Sequence, residues 1–402
     1  MGTEGRAEFA ELLSTLRAEA DLSLGELGKA AHIARGYIHH LEHGRRWPSR
    51  TFVEALDRAL QADGALLDTW AAANDDGPIP HDPDDRERLT LVVEHPRRVD
   101  GATVYALAGV LAATRRLEDV AGSAAVLPAV RHQLALARGF FADARLPVRN
   151  RIGALTGELH QYLGWLLTST GNHEQGSVEL DAALAIGVEL DDPNLISQAL
   201  SYKETLAWIR RDAHEVIALS RAAGRDERVS VTQHVFTAYQ HARGWAMIGD
   251  IVEMDRALGR ATELTGTAMT QQADAPNSVY WHGAAFFTMQ RGLTSHMVPG
   301  SRYAARAAAE LTSGVDQLPD TERYSEWAAD FTISAAEAYA DASEPERAVE
   351  AARRTLTVCR ATRSTQLSAS VRTVYARLRE GWPTVAAVRE LGDEVRTLSR
   401  PR

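Results

Sequence analysis

Most of this chain has the pattern of paired amphipathic helices. From about residue 99 to the C-terminus, alanine and leucine recur at positions i, i+3 and i+4, and the β-branched runs typical of strands are few. Turn residues interrupt this pattern at intervals of about 38 to about 51 residues. We therefore expect an array of helix pairs whose turns fall at Gly171-Asn172, Arg211-Asp212, Gly249-Asp250, Pro299-Gly300 and Ser343-Glu344.

A different pattern occupies residues 22–48. Ser23 is followed three positions later by Glu26, which is the capping-box pattern of a helix start, and the helix should run to about Ala31. After a tight turn, a second short helix should bury Ile38 and Leu41. Gly44 and Pro48 then prevent the helix from continuing. The sequence predicts two short helices joined by a turn.

The second of these helices should carry a polar, basic face. Turned away from its apolar side are Arg35, Gly36, His39, His40 and His43. Residues 29–50 have a net charge of +4, whereas the whole chain has a formal net charge of −10. We expect this local surface to favour a polyanion without general adhesion to nucleic acid. Glu42 should tie its helix to a neighbouring helix or to an arginine.

At these positions the segment resembles the Cro/C1-type (XRE-family) helix-turn-helix of bacterial and phage regulators. The resemblance spans roughly residues 7–72 and implies a five-helix, lambda-repressor-like DNA-binding domain. It rests on Leu22, Ser23, Glu26, Leu27, Ile33, Ile38, Leu41, Glu42, Gly44 and Pro48. It implies that the second motif helix enters the major groove. The DNA-binding residues it implies are Ser23, Arg35, Gly36, Tyr37, His39, His40, His43, Arg45, Arg46 and Arg50, with Arg35 and His40 as the expected base readers.

Three residues depart from the family pattern. Leu24 replaces a polar residue, so phosphate contacts at that helix start should come from backbone N–H groups. Ala34 replaces the usual Ser or Thr cap, and Gly36 lies inside the recognition helix at a cost of about 1 kcal/mol relative to alanine. The DNA sequence preference therefore cannot be transferred from a relative.

The helix pairs at roughly residues 150–360 resemble tetratricopeptide repeats, although they are longer than the 34 residues of that repeat. The resemblance implies an α-solenoid whose first helices form a concave, ligand-binding surface. On this register the ligand-binding residues are Gln161, Trp165, Ser201, Thr205, Trp208, Tyr239 and Arg243. We expect a peptide or small-molecule effector, with Arg243 as an anion anchor. The alternative is that Trp165, Trp208 and Phe236 pack between repeats.

The composition indicates where the two domains separate. Residues 74–85 contain three prolines and five aspartates, which can neither continue a helix nor build a core. We predict a helix-turn-helix domain at 1–73, a flexible Asp/Pro-rich linker at 74–98 and a repeat domain at 99–402.

The sequence lacks the usual marks of an enzyme. No phosphate-binding loop, dinucleotide-binding motif, HExxH or GxSxG is present, and we expect no catalytic residue, metal site or cofactor. His39 and His43 have the i, i+4 spacing of zinc ligands, but the only further ligand nearby is His40, which points to a different side of the helix. The single cysteine, Cys359, and the absence of a signal-peptide pattern or an apolar membrane span predict a cytoplasmic protein with no membrane partner. The 42 arginines against two lysines suggest a bacterial source.

Together the two resemblances predict a transcription regulator. Its partners would be double-stranded operator DNA, a second copy of the chain and an effector in the repeat groove. The alternative from another class is a protein-interaction scaffold, in which the repeats bind a partner protein and the helix-turn-helix is only a tether or dimerisation module.

Overall fold

The computed structural model of the chain describes residues 3–31, 33, 35–43, 48, 50–62, 64–74, 99–270, 279 and 281–398. The chain divides into two units, residues 1–88 and 89–402. Within the described ranges all long regular elements are helices and no strand occurs, which confirms the all-α fold. The predicted linker 74–98 lies outside the described residues except for Asn74, the last residue of a helix.

The described part of the first unit is a bundle of short helices. They are α1 (Thr3–Glu19), α2 (Leu24–Ala31), α3 (Arg35–Glu42), α4 (Arg50–Leu60) and α5 (Ala65–Asn74). Helix α1 packs against α3 and α5, while α2 packs against α3 and α4. The apolar side chains meet in one core, where Phe9, Leu13, Leu27, Ile38 and Leu56 are fully buried. This arrangement confirms the five-helix fold predicted for the N-terminal domain.

A buried carboxylate joins α4 to α5. The backbone N–H groups of Gly64 and Leu66 donate to the two oxygens of Asp57, at 2.9 and 3.0 Å. These N–H groups lie at the start of α5, where the helix itself supplies no acceptor. Asp57 thus caps α5 from a neighbouring helix, and its burial fixes the corner between the two elements.

The second unit contains a long series of helices. They are α6 (Gly101–Ala121), α7 (Ser123–Asp143), α8 (Val148–Ser169), α9 (His173–Leu190), α10 (Pro193–Ile209), α11 (Ala213–Ala223), α12 (Val231–Ile248), α13 (Ile251–Thr270), α14 (Ala284–His296), α15 (Ala304–Asp316), α16 (Asp320–Arg323), α17 (Glu326–Asp341), α18 (Pro345–Thr362), α19 (Thr365–Gly381) and α20 (Ala386–Arg396). In the ranges that the structure covers, none of the helices has the length and apolar character needed to cross a bilayer.

These helices pack as consecutive pairs. The first helices of the pairs from α8 onward begin at residues 148, 193, 231, 284, 326 and 365, so a repeat is 38 to 53 residues long. Each first helix contacts the first helix of the next pair, which produces one continuous inner layer. All five turns predicted from the sequence lie between the two helices of a pair. The second unit is therefore a helical-repeat array.

Side-chain caps determine where several of these helices begin. Asp100, Asp192 and Asp212 each accept a hydrogen bond from the backbone N–H three residues later. Ser325 and Ser364 do the same with their hydroxyl oxygens. Such caps satisfy backbone donors that have no partner within the helix and stabilise it by about 1 kcal/mol.

The array curves until its first pair, α6 and α7, meets its sixth, α17 and α18. The backbone N–H of Ser123 donates to Oε2 of Glu326 at 2.8 Å, and the indole N–H of Trp327 donates to Oδ1 of Asp119 at 3.1 Å. These bonds connect residues more than 200 positions apart. Helices α6 and α17 thus close the inner surface into a ring, and we call this pair of bonds the closure contact.

Gly122 makes the closure contact possible. Its φ of 85° lies in the left-handed region, and an added Cβ would lie 2.8 Å from the carboxylate of Glu326 and 3.0 Å from Cβ of Thr362. A side chain at this position would be strained by its backbone and would also push the Glu326 carboxylate away from Ser123.

We expect Gly122→Ala to lower the free energy of unfolding by about 1–3 kcal/mol more than Gly300→Ala does. Gly300 has a φ of 88° and nothing within 4 Å of an added Cβ, so it shares the backbone strain but lacks the contact. Urea unfolding followed by circular dichroism measures the difference. Equal losses in the two variants would contradict the role of the closure contact.

Candidate DNA-binding helix and ligand chamber

The start of α2 has the capping box that the sequence predicts. The backbone N–H of Ser23 donates to Oε2 of Glu26 at 2.8 Å, and the backbone N–H of Glu26 donates to the hydroxyl of Ser23 at 3.2 Å. The hydrogen bonds from Ser23 lower the pKa of Glu26, so its carboxylate is charged at neutral pH. The Ser23 side chain, predicted to contact DNA, acts in this structure as a helix cap.

The turn between α2 and α3 depends on Gly28, which sequence reasoning missed. The backbone N–H of Ile33 donates to the carbonyl of Gly28 at 2.8 Å. An added Cβ on Gly28 would lie 2.6 Å from the carbonyl oxygen of Ile33, closer than any real Cβ contact. Only a glycine at this position allows the chain to turn back so sharply.

Helix α3 is anchored from two sides. Ile38 and Leu41 are fully buried, and the ring of Tyr37 packs 5.3 Å from that of Phe52 on α4. On the other side, the guanidinium of Arg17 donates to both carboxylate oxygens of Glu42, at 2.5 and 2.9 Å. The structure confirms that Glu42 ties α3 to an arginine, here on α1. Such forked pairs fix geometry as well as supplying charge attraction.

The opposite side of α3 faces solvent. Arg35, Gly36 and His43 are exposed, while His39 and His40 are half-buried. Nothing lies within 4 Å of an added Cβ at Gly36. The rings of His39 and His43 are 4.1 Å apart, and Nδ1 of His43 lies 2.8 Å from the carbonyl oxygen of His39. The face predicted to meet DNA is therefore accessible at both ends.

Three of the predicted DNA contacts cannot be placed. Arg45 and Arg46 lie outside the described residues, and Arg50 begins α4 with its side chain outside them. Their role as phosphate contacts stays a prediction from the sequence.

The inner surface of the second unit encloses a partly open cavity, which we call the chamber. Its volume, measured as the space open to the centre of a water-sized sphere, is about 160 Å³. One water molecule needs about 10–15 Å³ on this measure, so the chamber has room for an organic molecule. It is lined by Arg115, Glu118, Asp119, Gln161, Tyr162, Trp165, Tyr202, Thr205, Trp208, Phe236, Arg243, Trp281, Phe286, Gln290, Leu293, Trp327, Asp330, Phe331 and Ser334.

The structure brings together five of the seven residues predicted to bind a ligand. Gln161, Trp165, Thr205, Trp208 and Arg243 line the chamber. The other two are engaged elsewhere. The hydroxyl of Ser201 is buried and accepts a hydrogen bond from the Gln233 amide at 2.9 Å, while the Tyr239 ring stacks 6.0 Å from Phe287.

Arg243 has a carboxylate partner within the protein. Its Nη2 lies 2.9 and 2.7 Å from the two oxygens of Glu204, which is fully buried, and Gln240 donates a further hydrogen bond to Glu204 at 2.7 Å. The guanidinium also lies 4.6 Å from the ring centre of Trp208. The ion pair balances the positive charge that was predicted to hold an anion.

Helix α6 supplies polar groups that the sequence did not reveal as part of the site. Glu118 accepts hydrogen bonds from the Tyr162 hydroxyl at 2.7 Å, the Ser123 hydroxyl at 2.7 Å and the Trp165 indole at 3.1 Å. Burial raises the pKa of Glu118, although these three donors favour its charged form. Helix α6 lies outside residues 150–360, to which the tetratricopeptide resemblance extends, so the sequence did not predict this wall of the chamber.

Arg115 and Asp330 both line the chamber, and each has a polar group that is available to a guest. Arg115 donates from Nη1 to Glu158 at 2.5 Å, but its buried Nη2 has no hydrogen-bond partner in the described part of the chain. Asp330 is half-buried on α17. Burial, and secondarily the charge of Glu326, raises the pKa of Asp330 to about 7. Among the groups of the chamber wall, the Nη2–H of Arg115 and the carboxyl group of Asp330 are thus available to a guest.

Breaking the Arg17–Glu42 ion pair should loosen α3. We expect Glu42→Gln to reduce the protection of α3 amides against hydrogen exchange by about 1–2 kcal/mol, because Arg17 loses a charged acceptor. Hydrogen exchange with mass spectrometry on the full-length chain measures this. Glu19→Gln, an exposed change on α1, is the control. Unchanged protection in Glu42→Gln would show that the ion pair does not hold α3.

Comparison with known proteins identifies the first unit only. Residues 8–70 match the family model described as a helix-turn-helix domain. Neither curated proteins nor solved structures gave a match. The matched range contains most of α1 and α5 and all of α2 to α4. Residues 8–70 therefore form a helix-turn-helix domain, and this domain indicates a DNA-binding regulator.

Proposed function

We propose that this chain is a sequence-specific transcription regulator whose repeat unit binds a small effector and forms a homodimer. The observation that carries the proposal is the combination, in one chain, of a helix-turn-helix domain with a repeat array that encloses an aromatic and charged chamber. A tether or a scaffold has no need for a chamber with an unsatisfied arginine N–H in its wall.

Helix α3 is the element proposed to enter the major groove. Arg35 stands at its first position and is exposed, which is where helix-turn-helix proteins carry residues that reach base edges. An arginine can donate two hydrogen bonds to O6 and N7 of guanine. The buried Ile38 and Leu41 and the Arg17–Glu42 ion pair hold the helix from behind. Arg35 is thus positioned on a rigid support.

The chamber supports effector binding because two of its walls belong to α6 and α17, the helices that the closure contact joins. Glu118 and Arg115 lie on α6, whereas Trp327 and Asp330 lie on α17. An effector that touches both helices would bind the closed ring more tightly than an opened one, and would shift the population toward the closed form. The closure contact between Ser123 and Glu326 is the element whose equilibrium such a ligand would bias.

Exposed apolar side chains on α6 support dimerisation through this helix. Tyr105, Val110, Leu117 and Val120 are 47–72% exposed and lie along one broad face. Solvent-facing apolar side chains that cluster on one helix are typical of protein interfaces. In a dimer, the two helix-turn-helix domains would bind half-sites about 34 Å apart, which is one turn of DNA.

The experiment that tests the proposal is selection of binding sites from random-sequence DNA, followed by fluorescence anisotropy at two salt concentrations. We expect an enriched inverted repeat that binds about 10³-fold more tightly than scrambled DNA. The absence of an enriched sequence, together with equal and salt-sensitive binding to all DNA, would contradict the proposal. Co-purification of a stoichiometric protein partner would then favour the scaffold.

Two arginine variants distinguish base reading from phosphate contact. Arg35→Ala should weaken binding to the enriched site by about 1–3 kcal/mol and affect scrambled DNA far less, because it removes a base contact. Arg46→Ala should weaken binding to both DNAs alike. Anisotropy titrations of both variants on both DNAs measure this. The same loss on each DNA in both variants would contradict the assignment of α3.

The dimer surface can be tested by charge insertion. Val120→Glu should convert the dimer to a monomer, because it buries a carboxylate in the apolar interface. Val252→Glu is the matched control, since Val252 on α13 is 68% exposed against 72% for Val120. Sedimentation velocity measures the mass. A wild-type monomer, or a Val120→Glu protein that stays dimeric, would contradict this surface.

A further inference from the structure

Tryptophan dominates the chamber. Four of the chain's eight tryptophans line it, namely Trp165, Trp208, Trp281 and Trp327, and they come from four different parts of the ring. The Trp281 ring stands edge-on to that of Phe286, with centres 4.7 Å apart. These side chains offer a guest a large aromatic surface.

The polar edges of three indoles are already engaged by protein acceptors. Trp165 donates its N–H to Glu118, Trp327 to Asp119 and Trp208 to the sulfur of Met297, at 3.1, 3.1 and 3.3 Å. An indole has only this one donor. What the rings of Trp165 and Trp327 can still offer to a guest is apolar contact and the negative potential of their faces, whereas one face of Trp208 is already covered by the Arg243 guanidinium.

The charged groups of the chamber leave negative charge without a cationic partner. Each arginine of the wall has a carboxylate of its own, Glu158 for Arg115 and Glu204 for Arg243. Glu118 accepts hydrogen bonds from neutral donors only. No residue that the structure describes donates a hydrogen bond to the carboxylate of Asp330. A negatively charged guest would therefore meet no arginine that lacks a carboxylate partner. A positively charged guest would be able to pair with the carboxylate of Asp330.

We propose that the chamber binds an organic cation, an amine or quaternary ammonium with an apolar body, whose charge lies at Asp330 and whose body lies among the tryptophans. This inference rests on the proposed function, of which it names the effector class. Cations are attracted to the faces of aromatic rings, most strongly to those of tryptophan. A buried carboxylate is costly without a partner, so the cation would offset that cost.

The N–H of Arg115 that has no hydrogen-bond partner predicts a second chemical group on the guest. Arg115 is 6% exposed, and its Nη2 is buried beside the chamber without a hydrogen-bond acceptor in the described residues. A hydroxyl, ether or carbonyl oxygen on the body of the guest would satisfy this donor. The expected effector is thus a cation at one end with a neutral acceptor oxygen elsewhere.

The binding of such a cation should depend on pH. Because the pKa of Asp330 is raised to about 7, the empty chamber holds this group partly protonated near neutral pH. The titratable and charged groups nearest Asp330 are Glu326 on the same helix and the Cys359 thiol on α18, whose pKa burial raises to about 11, so it stays neutral. Around the rest of the chamber are Glu118, Asp119 and Arg115 on α6, and Arg243 on α12. Burial lowers the pKa of the neighbouring His282 to about 3, so this imidazole stays neutral. The affinity should rise from about pH 6 to about pH 8 as Asp330 loses its proton.

The test uses benzyltrimethylammonium, whose charge does not change with pH, and the full-length protein without DNA. Its neutral isostere neopentylbenzene and the anion benzenesulfonate are the matched ligands. Isothermal titration calorimetry or quenching of tryptophan fluorescence gives the dissociation constants. We expect the cation to bind at least about tenfold more tightly than the neutral isostere, and the anion not to bind. Equal affinity for cation and isostere, or no binding of the cation up to about 10 mM, would overturn the proposal.

Asp330→Asn keeps the volume of the side chain and removes its charge. We expect it to weaken binding of the cation about tenfold, to leave the neutral isostere unchanged and to abolish the pH dependence. Asp255→Asn makes the same charge change at an exposed position on α13 and serves as the control. Circular dichroism confirms that both variants fold. Equal behaviour of the two variants would overturn the role of Asp330.

The outcomes separate this inference from the proposed function. Specific DNA binding without any cation binding would overturn only the effector class. Cation binding that leaves the affinity for the enriched operator unchanged would establish the chamber as a cation site and contradict its coupling to DNA. Loss of both would contradict the regulator itself.

Discussion

The contact between α6 and α17 is the constraint on which the second unit depends. A helical array can in principle continue without limit, and its concave side is then an open groove. Here Glu326 accepts the backbone N–H of Ser123, and Asp119 accepts the indole N–H of Trp327, so the first and sixth pairs are joined. Residues from six helices therefore face one partly open cavity instead of a long groove. The chamber is a consequence of the closure.

Two buried networks organise the polar groups of the chamber, one on α6 and one between α10 and α12. Glu118 gathers donors from α7 and α8, and the Glu204–Arg243 pair connects α10 to α12. Buried networks of this kind specify one arrangement of the helices when every member is satisfied. Nη2 of Arg115 is a buried donor in this wall with no hydrogen-bond partner among the described residues, so it is where the proposed guest would add a contact to the network.

Local signals in the sequence were sufficient for much of the fold. The capping box at Ser23, the paired helices and the five turns follow from short-range chemistry, and the structure has them. Five of seven predicted ligand residues line the chamber because the helical period identifies the inner face of each first helix. The sequence did not predict that α6 and α17 form walls of the chamber, because the closure contact joins residues more than 200 positions apart. The need for Gly28 was likewise hidden, because it arises from a carbonyl oxygen on the far side of a turn.

The chemistry of the closure contact predicts that salt affects the second unit much less than it affects DNA binding by the first unit. A groove-binding arginine displaces condensed counterions, so DNA affinity falls steeply as salt is added. The ring is held by a backbone N–H and an indole N–H on carboxylates, partly buried bonds that salt screens much less than exposed ion pairs. For the regulator proposed above, a rise in ionic strength is therefore expected to weaken DNA binding while the closure contact, and with it the chamber, persists.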